Sequence, residues 1–331
     1  MIRKSSILIT GASGEVGSQL IKILSNNENI NIVTLDLHPL ESNVSNMVSD
    51  KITGNVLDKN LIDQINLEFE IKEIYHLAAI LSTRAEISPS IAHDVNINGT
   101  INFLELALKQ SRSQNKNIKF FFPSSIAVYG VREKNSHAYK EHESLNPITI
   151  YGANKLYAEK LGIYYSKYYN QLSSDENFID FRSLRFPGLI SSRTIPSGGT
   201  SDFIPEMWHS ISKHNHYECF VKPDTRLPFI AMSDAIQGVK DLMKISSEDY
   251  KNIKHRIYNV IYKDGKTGFS YAKRFNVTSV IKDREYDLTS GNERSKICYF
   301  SDNPNSESEL VEIKINSKSK ARKKLFEYDF A

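Results

Sequence analysis

Disulfide chemistry is the first thing this sequence lacks. Its 331 residues hold two cysteines, Cys219 and Cys298, and neither sits in a Cys-x-x-Cys pair. That excludes a disulfide framework and a structural zinc ribbon, and it fits a reducing compartment. Long apolar runs are missing as well. None approaches the ~18 residues that a membrane span requires, so no membrane partner is expected. Nor does one sign of charge dominate: 42 basic residues against 39 acidic ones leave a net charge of +3. That is too little for a nucleic-acid groove, and no nucleic-acid partner is expected. The basic cluster from Lys318 to Lys324 reads as a solvated helix face. His209, His214 and His216, with Cys219 nearby, fit no standard zinc spacing, so no metal is expected. A strand-like run from Ser6 to Thr10 starts almost at once, leaving no room ahead of it for a signal or transit segment. The expected location is cytoplasmic as the sequence stands, and mitochondrial should a presequence precede it.

What is present is ordinary globular composition, 40% hydrophobic and 24% charged, in a chain long enough to bury a substantial core. The first half alternates short β-branched runs with longer helical patterns, the signature of a parallel, doubly wound sheet. Strands are predicted at about 5–10, 31–36, 51–55, 73–78, 118–124 and 179–186. Val16, Leu20, Ile23 and Leu24 recur at helical spacing, as do Ile97, Ile101, Leu104 and Leu108; these stripes read as core. After Pro187 the alternation stops, and Pro196, Gly198, Gly199, Pro205, Pro223 and Pro228 punctuate shorter elements. The prediction is an α/β Rossmann domain, a doubly wound parallel sheet over residues 1–186. A smaller substrate-binding domain follows over 187–331, from which a strand near 257–260 returns to the main sheet.

Gly11-Ala-Ser-Gly14-Glu-Val-Gly17 follows a strand and opens a helix. Glycines at those positions permit a tight turn, a close approach of backbone to a pyrophosphate, and contact between helix and strand. The helix start offers N–H groups and partial positive charge to phosphate. Asp36 ends the second strand about 25 residues after Gly11, close to the ~20-residue spacing of a ribose carboxylate. Such a carboxylate accepts from a 2′-hydroxyl and repels a 2′-phosphate, so NAD is the expected cofactor rather than NADP.

Two later segments add chemistry. Phe122-Pro-Ser-Ser125 closes the fifth predicted strand, at the edge where open α/β sheets hold ligands. Tyr151-Gly-Ala-Asn-Lys155 opens the next helix, and its spacing places phenol and ammonium on one face. A tyrosine titrates near ~10 and is a poor base at neutral pH. Lys155 beside it, with a positive nicotinamide ring, is expected to lower that value. Ser125 is expected to hydrogen-bond the reacting hydroxyl.

These segments, with H-L-A-A at His76–Ala79 and N-I-N-G-T at Asn96–Thr100, resemble the extended short-chain dehydrogenase/reductase family of NAD-dependent sugar-nucleotide epimerases and dehydratases. Ile80-Leu-Ser82, R-F-P-G-L-I-S at 185–191, P-S-G-G-T-S-D at 196–202, Y-E-C-F at 217–220 and P-D-T-R-L-P at 223–228 are similar to its short-chain L-threonine 3-dehydrogenases. The resemblance implies NAD contacts from Gly11, Ser13, Gly14, Glu15, Val16 and Gly17, from Asp36 and Leu37, and from Asn55 and Val56 beside the adenine. It adds Leu77, Ala78, Ala79, Asn96, Tyr151, Lys155, and Leu189 at the nicotinamide carboxamide. Ser125, Tyr151 and Lys155 would be catalytic. Ser82, Ser125, Tyr151, Gly188, Thr200 and Ser201 would line the substrate pocket.

The implied reaction takes L-threonine and NAD to 2-amino-3-oxobutanoate and NADH. The alternatives are a sugar-nucleotide epimerase or dehydratase and a non-catalytic NAD-binding relative. The resemblance also implies a homodimer formed through a four-helix contact of the helices near 96–110 and 151–169. The chain departs from the pattern at Ser125 and Ser201, where relatives carry threonine, at Asn55 for aspartate, and at Ala231 for tyrosine. Beyond Val260 the family's marks fade, apart from a faint likeness over Ala321–Phe330.

Overall fold

The computed structural model describes residues 3–27, 30–130, 141–143, 145–169, 179–191, 199–212, 217–221, 226–251 and 256–259, and the strands at 273–276, 294–297 and 311–314. Cys298, His214, His216, Lys318–Lys324, Pro196, Pro223–Thr225 and Ala321–Phe330 lie outside the described residues.

In chain order the strands are β1 (Lys4–Thr10), β2 (Asn31–Asp36), β3 (Asp50–Thr53), β4 (Phe69–His76), β5 (Ile118–Ser125), β6 (Ile179–Phe186), β7 (Gly188–Ile190), β8 (Arg226–Ala231), β9 (Ile257–Asn259), β10 (Lys273–Asn276), β11 (Arg294–Ile297) and β12 (Val311–Lys314). The helices are α1 (Glu15–Leu24), α2 (Ser42–Ser45), α3 (Lys59–Glu68), α4 (Ser82–Ile87), α5 (Pro89–His93), α6 (Gly99–Gln114), α7 (Ile150–Lys167), α8 (Phe203–Ser212), α9 (Met232–Lys244) and α10 (Ser247–Lys251).

Seven strands form one sheet in the order β3-β2-β1-β4-β5-β6-β9, and every pairing is parallel. The order reverses between β1 and β4, the switch point at which open α/β sheets hold ligands. Parallel strands covered on both faces read as continuous apolar runs. Leu8, Val33, Leu35, Ile71, Ile74, Ile118, Phe120 and Phe181 meet Phe103, Leu104 and Ala107 of α6 in a single core. β6 is buried at all eight positions, although its sequence reads Ile-Asp-Phe-Arg-Ser-Leu-Arg-Phe. Its charges are therefore paired: Arg182 bridges Asp180 and Arg185 bridges Glu159.

β4 starts at Phe69, ahead of the predicted 73, because Lys4–Ser6 already pair with Phe69–Ile71 across a register shift. The predicted helix near 96 begins as a π-helical turn over Asp94–Asn98 before α6.

The chain divides into two compact units, and the division corrects the boundary expected from sequence. The first unit holds the described residues to Gly130, those up to Phe186 and the described residues from Met232 to Asn259, not the β9 strand alone. Ala235, Ile236, Val239, Leu242 and Met243 give α9 a buried apolar stripe, which packs beside α1 and β6. Burying that stripe, rather than the end of the alternating pattern, decides where α9 belongs. The second unit contains a sheet ordered β10-β8-β7. There Phe203 sets its ring edge against Phe220 and Phe229. β11 and β12 form a separate antiparallel pair.

Candidate active site

The loop from β1 to α1 is shaped by backbone. Gly11 has φ +66°, and a Cβ there would stand 2.6 Å from the Ala78 nitrogen. A Cβ on Gly17 would stand 2.6 Å from the Gly11 carbonyl oxygen. Side chains are thus excluded by left-handed geometry at the first position and by close approach at the second. Gly14 caps α1 with no side chain over its first turn. Asp36 reaches back to this loop: Oδ2 accepts from Ser13 N–H at 2.9 Å and Oδ1 from His38 N–H at 2.9 Å. A cradle emptied of side chains beside an anchored carboxylate fits the pyrophosphate and ribose of NAD. Gly11 to Gly17 and Asp36 are gathered here.

The neighbouring positions have other duties. Leu37 is exposed. Asn55 turns its Oδ1 onto the Leu57 N–H. Val56 is a core side chain whose carbonyl accepts from Asn102. Leu77 and Ala78 donate from their backbones to the carbonyl and hydroxyl of Thr10, which ties the turn after β4 to the end of β1. Ala79 follows in that turn. Asn96 is buried, and its amide clamps Ile80: the Ile80 N–H donates to Oδ1 at 2.7 Å, and Nδ2 donates to the Ile80 carbonyl at 3.1 Å. The Asn96 amide thus fixes the loop before α4. Ser82 is the buried first residue of α4.

The other centre forms where β5 ends against α7. Thr149 caps α7 by accepting from the Gly152 N–H. A Cβ on Gly152 would lie 2.3 Å from the Ala127 carbonyl oxygen, so α7 presses directly on the 3-10 turn Ile126–Tyr129. That contact brings Tyr151 to Ser125. The Ser125 hydroxyl accepts from the Ala127 N–H at 3.2 Å and hydrogen-bonds the Tyr151 phenol. One helical turn on, Lys155 is buried and donates from Nζ to the Pro123 carbonyl at 2.7 Å. Its Nζ lies 4.6 Å from the Phe122 ring centroid and 5.5 Å from that of Tyr151.

The expected electrostatics are corrected here. Burial pushes the Tyr151 phenol up to about 12, and the Ser125 hydrogen bond is what draws it down. Burial lowers Lys155 to about 7, opposed by the Glu159 carboxylate. Lys155 is not among the groups that set this shift, for two reasons. Its ammonium points at a carbonyl and over the ring face rather than at the phenolic oxygen, and desolvation weakens its own charge.

Glu159 and Arg185, which sequence reasoning missed, complete this centre. Glu159 is fully buried and lies two turns beyond Tyr151 on the same face. Its Oε1 accepts from the Ser124 hydroxyl at 2.5 Å and from Arg185 Nε at 2.7 Å, and its Oε2 from Arg185 Nη2 at 2.8 Å. Arg185 also donates to Tyr129, whose hydroxyl donates to Asn259. The available signal was the four-residue repeat Tyr151, Lys155, Glu159. In the second unit Gly188 and Leu189 lie on β7, while Thr200 and Ser201 lie in the turn that opens α8, where the Gly199 N–H donates to Asp202.

Among the described residues no three His, Cys, Asp or Glu side chains gather as a metal would require. No described helix is long and apolar enough to cross a membrane.

Known proteins match this arrangement. The model of the NAD dependent epimerase/dehydratase family matches residues 7–260. A second model, the topoisomerase C-terminal domain of Bacteroidota, matches residues 239–331. The mitochondrial L-threonine 3-dehydrogenase of Bos taurus is 31% identical over 255 residues, 77% of this chain. That match spans 63% of the bovine protein, less than two thirds of its length. An uncharacterised epimerase/dehydratase of Staphylococcus aureus (strain USA300) is 32% identical over 77% of this chain and 74% of its own. Among solved structures, a monomeric L-threonine 3-dehydrogenase from a metagenome superposes with a TM-score of 0.65 at 34% identity, covering 82% of this chain and 79% of that one. The cofactor is NAD, and the chain belongs to the NAD-dependent epimerase/dehydratase family.

Proposed function

We propose that this chain is an oxidoreductase that converts the β-hydroxyl of L-threonine to a ketone, giving 2-amino-3-oxobutanoate and NADH. The observation that carries the oxidoreductase reading is the Ser125–Tyr151–Lys155 set, assembled at the end of β5 with Ser125 bonded to the phenol. Identity of about 30% with L-threonine 3-dehydrogenases supports the substrate. So does β7 pairing in parallel with β8, Gly188 opposite Phe229, which makes strands of one sheet from two of the segments that resemble that enzyme.

In this reading Tyr151 Oη removes the hydroxyl proton, Ser125 Oγ orients that hydroxyl, and Lys155 holds the nicotinamide ribose. Bound NAD supplies the hydride acceptor. Asp36 and the loop from Gly11 to Gly17 hold its adenosine and pyrophosphate. Ser82, the first residue of α4, receives the amino-acid head group.

A second reading, sugar-nucleotide epimerisation or dehydration, is favoured by the S. aureus relative at nearly the same identity. NADH absorbance with L-threonine, L-serine and UDP-sugars offered separately distinguishes them. L-Threonine alone should give rapid NADH formation; no turnover of it by folded, NAD-binding protein overturns the assignment.

We also propose a homodimer, built chiefly on α7. Tyr157 and Tyr164 are exposed along that helix and Tyr168 at its C-cap, whereas the outward positions of α6 are Glu105, Lys109 and Arg112. The metagenome relative is monomeric. Sedimentation should give twice the chain mass, reduced to one by Tyr164→Glu; a monomeric parent contradicts it.

A further inference from the structure

Three consecutive residues at the end of β5 each hold a different turn of α7. The Pro123 carbonyl takes the Lys155 ammonium, the Ser124 hydroxyl takes Glu159, and the Ser125 hydroxyl takes Tyr151. Two of these contacts belong to residues already given chemical roles. The third does not.

A carboxylate with no exposed surface carries a large desolvation cost unless its charge is matched and its oxygens are bonded. Glu159 meets both conditions through Arg185 and Ser124. Arg185 is itself held in place by Tyr129 and the Glu141 carbonyl. The carboxylate is therefore fixed in charge and direction, one helical turn from Lys155. Lys155 is 4% exposed, and its single hydrogen bond to a carbonyl does not offset the desolvation of an ammonium. The groups facing it are Tyr151 and Glu159 on its own helix, His76 from β4 and, behind Glu159, Arg185 from β6. His76 is pushed down to about 3 by burial and by Lys155 itself, so it adds no charge. Glu159 is the one anion of this set, and it raises Lys155 where burial lowers it.

We propose that Glu159 is a positioning residue: its locked carboxylate keeps Lys155 in the ammonium form and clamps α7 to the end of β5. This rests on Lys155 holding the nicotinamide ribose, but not on which substrate is oxidised.

The test is NADH affinity of the full chain as a function of pH, read by NADH fluorescence without substrate. In the parent, affinity should fall as pH rises through the Lys155 transition, and Lys155→Met should abolish that step. Glu159→Gln lowers the value at which Lys155 loses its proton, so the step should move down by about one pH unit. NADH binding should then be up to about tenfold weaker at pH values between the two midpoints. Glu159→Asp should restore most of the shift. Glu159→Gln leaves a guanidinium unmatched in the interior; should it fail to fold, the double variant Glu159→Gln/Arg185→Met replaces it, with a smaller shift in the same direction expected because loss of the Arg185 cation opposes it. A folded variant lacking the Glu159 charge that keeps the parent midpoint overturns the proposal. Loss of L-threonine turnover with an intact NADH step would instead count against the substrate assignment alone.

Discussion

The cradle and the centre at Tyr151 lie on the same carboxyl edge of one sheet and are made of different materials. The cradle is backbone: a left-handed Gly11, a Gly17 with no room for a side chain, and a carboxylate bonded to main-chain N–H groups. At Tyr151 the parts are side chains whose charges are set by burial. Geometry made from backbone admits few residue types, so it is written position by position in the sequence. Electrostatics set by burial depends on everything packed around a group, and no local spacing records it.

The largest effect that separates the two regions comes from Tyr151→Phe. Turnover should fall by at least about 100-fold, the scale of lost acid–base catalysis, while NADH affinity stays within about twofold. Equal losses in both would show that the two regions are not separable. Gly11→Ala reverses the pattern. Backbone strain of about 1–3 kcal/mol should weaken NADH binding roughly tenfold or more, as read by fluorescence titration. Unchanged affinity would remove the steric argument for the cradle. The smallest effect belongs to Asn96→Ala, which orphans the Ile80 backbone groups. A cost of about 1–3 kcal/mol in urea unfolding is predicted. A direct cofactor ligand would instead show its loss in NADH affinity with stability unchanged.

The parallel sheet, its first six strands and the Gly11–Asp36 cradle were legible because glycine placement and apolar runs follow from local geometry. Ser125, Tyr151 and Lys155 could be named from order and spacing, but the direction of the phenol's shift could not. Spacing shows that Lys155 is one turn away, not that its ammonium is turned to Pro123 and largely desolvated. Glu159 and Arg185 stayed hidden for the same reason: a glutamate on a helix ordinarily reads as solvated, and an arginine within a strand gives no sign of its partner. The bonds of the Asn96 amide to the Ile80 backbone could not be read from sequence either, because they depend on the π-helical turn that carries it. α9 was placed with the wrong unit because the break in alternation after Pro187 outweighed its own apolar stripe.

The central claim is that a buried phenol, held up to about 12 and drawn down by Ser125, must lose its proton before it can accept one from the substrate. The direct measurement is kcat for L-threonine oxidation against pH at saturating NAD and L-threonine, in the parent and in Tyr151→Phe. A group whose value is raised is protonated at neutral pH, so the parent rate should climb steadily from neutral into alkaline pH, and the variant should lose both rate and slope. A flat parent profile, or a variant that keeps the climb, would contradict the account.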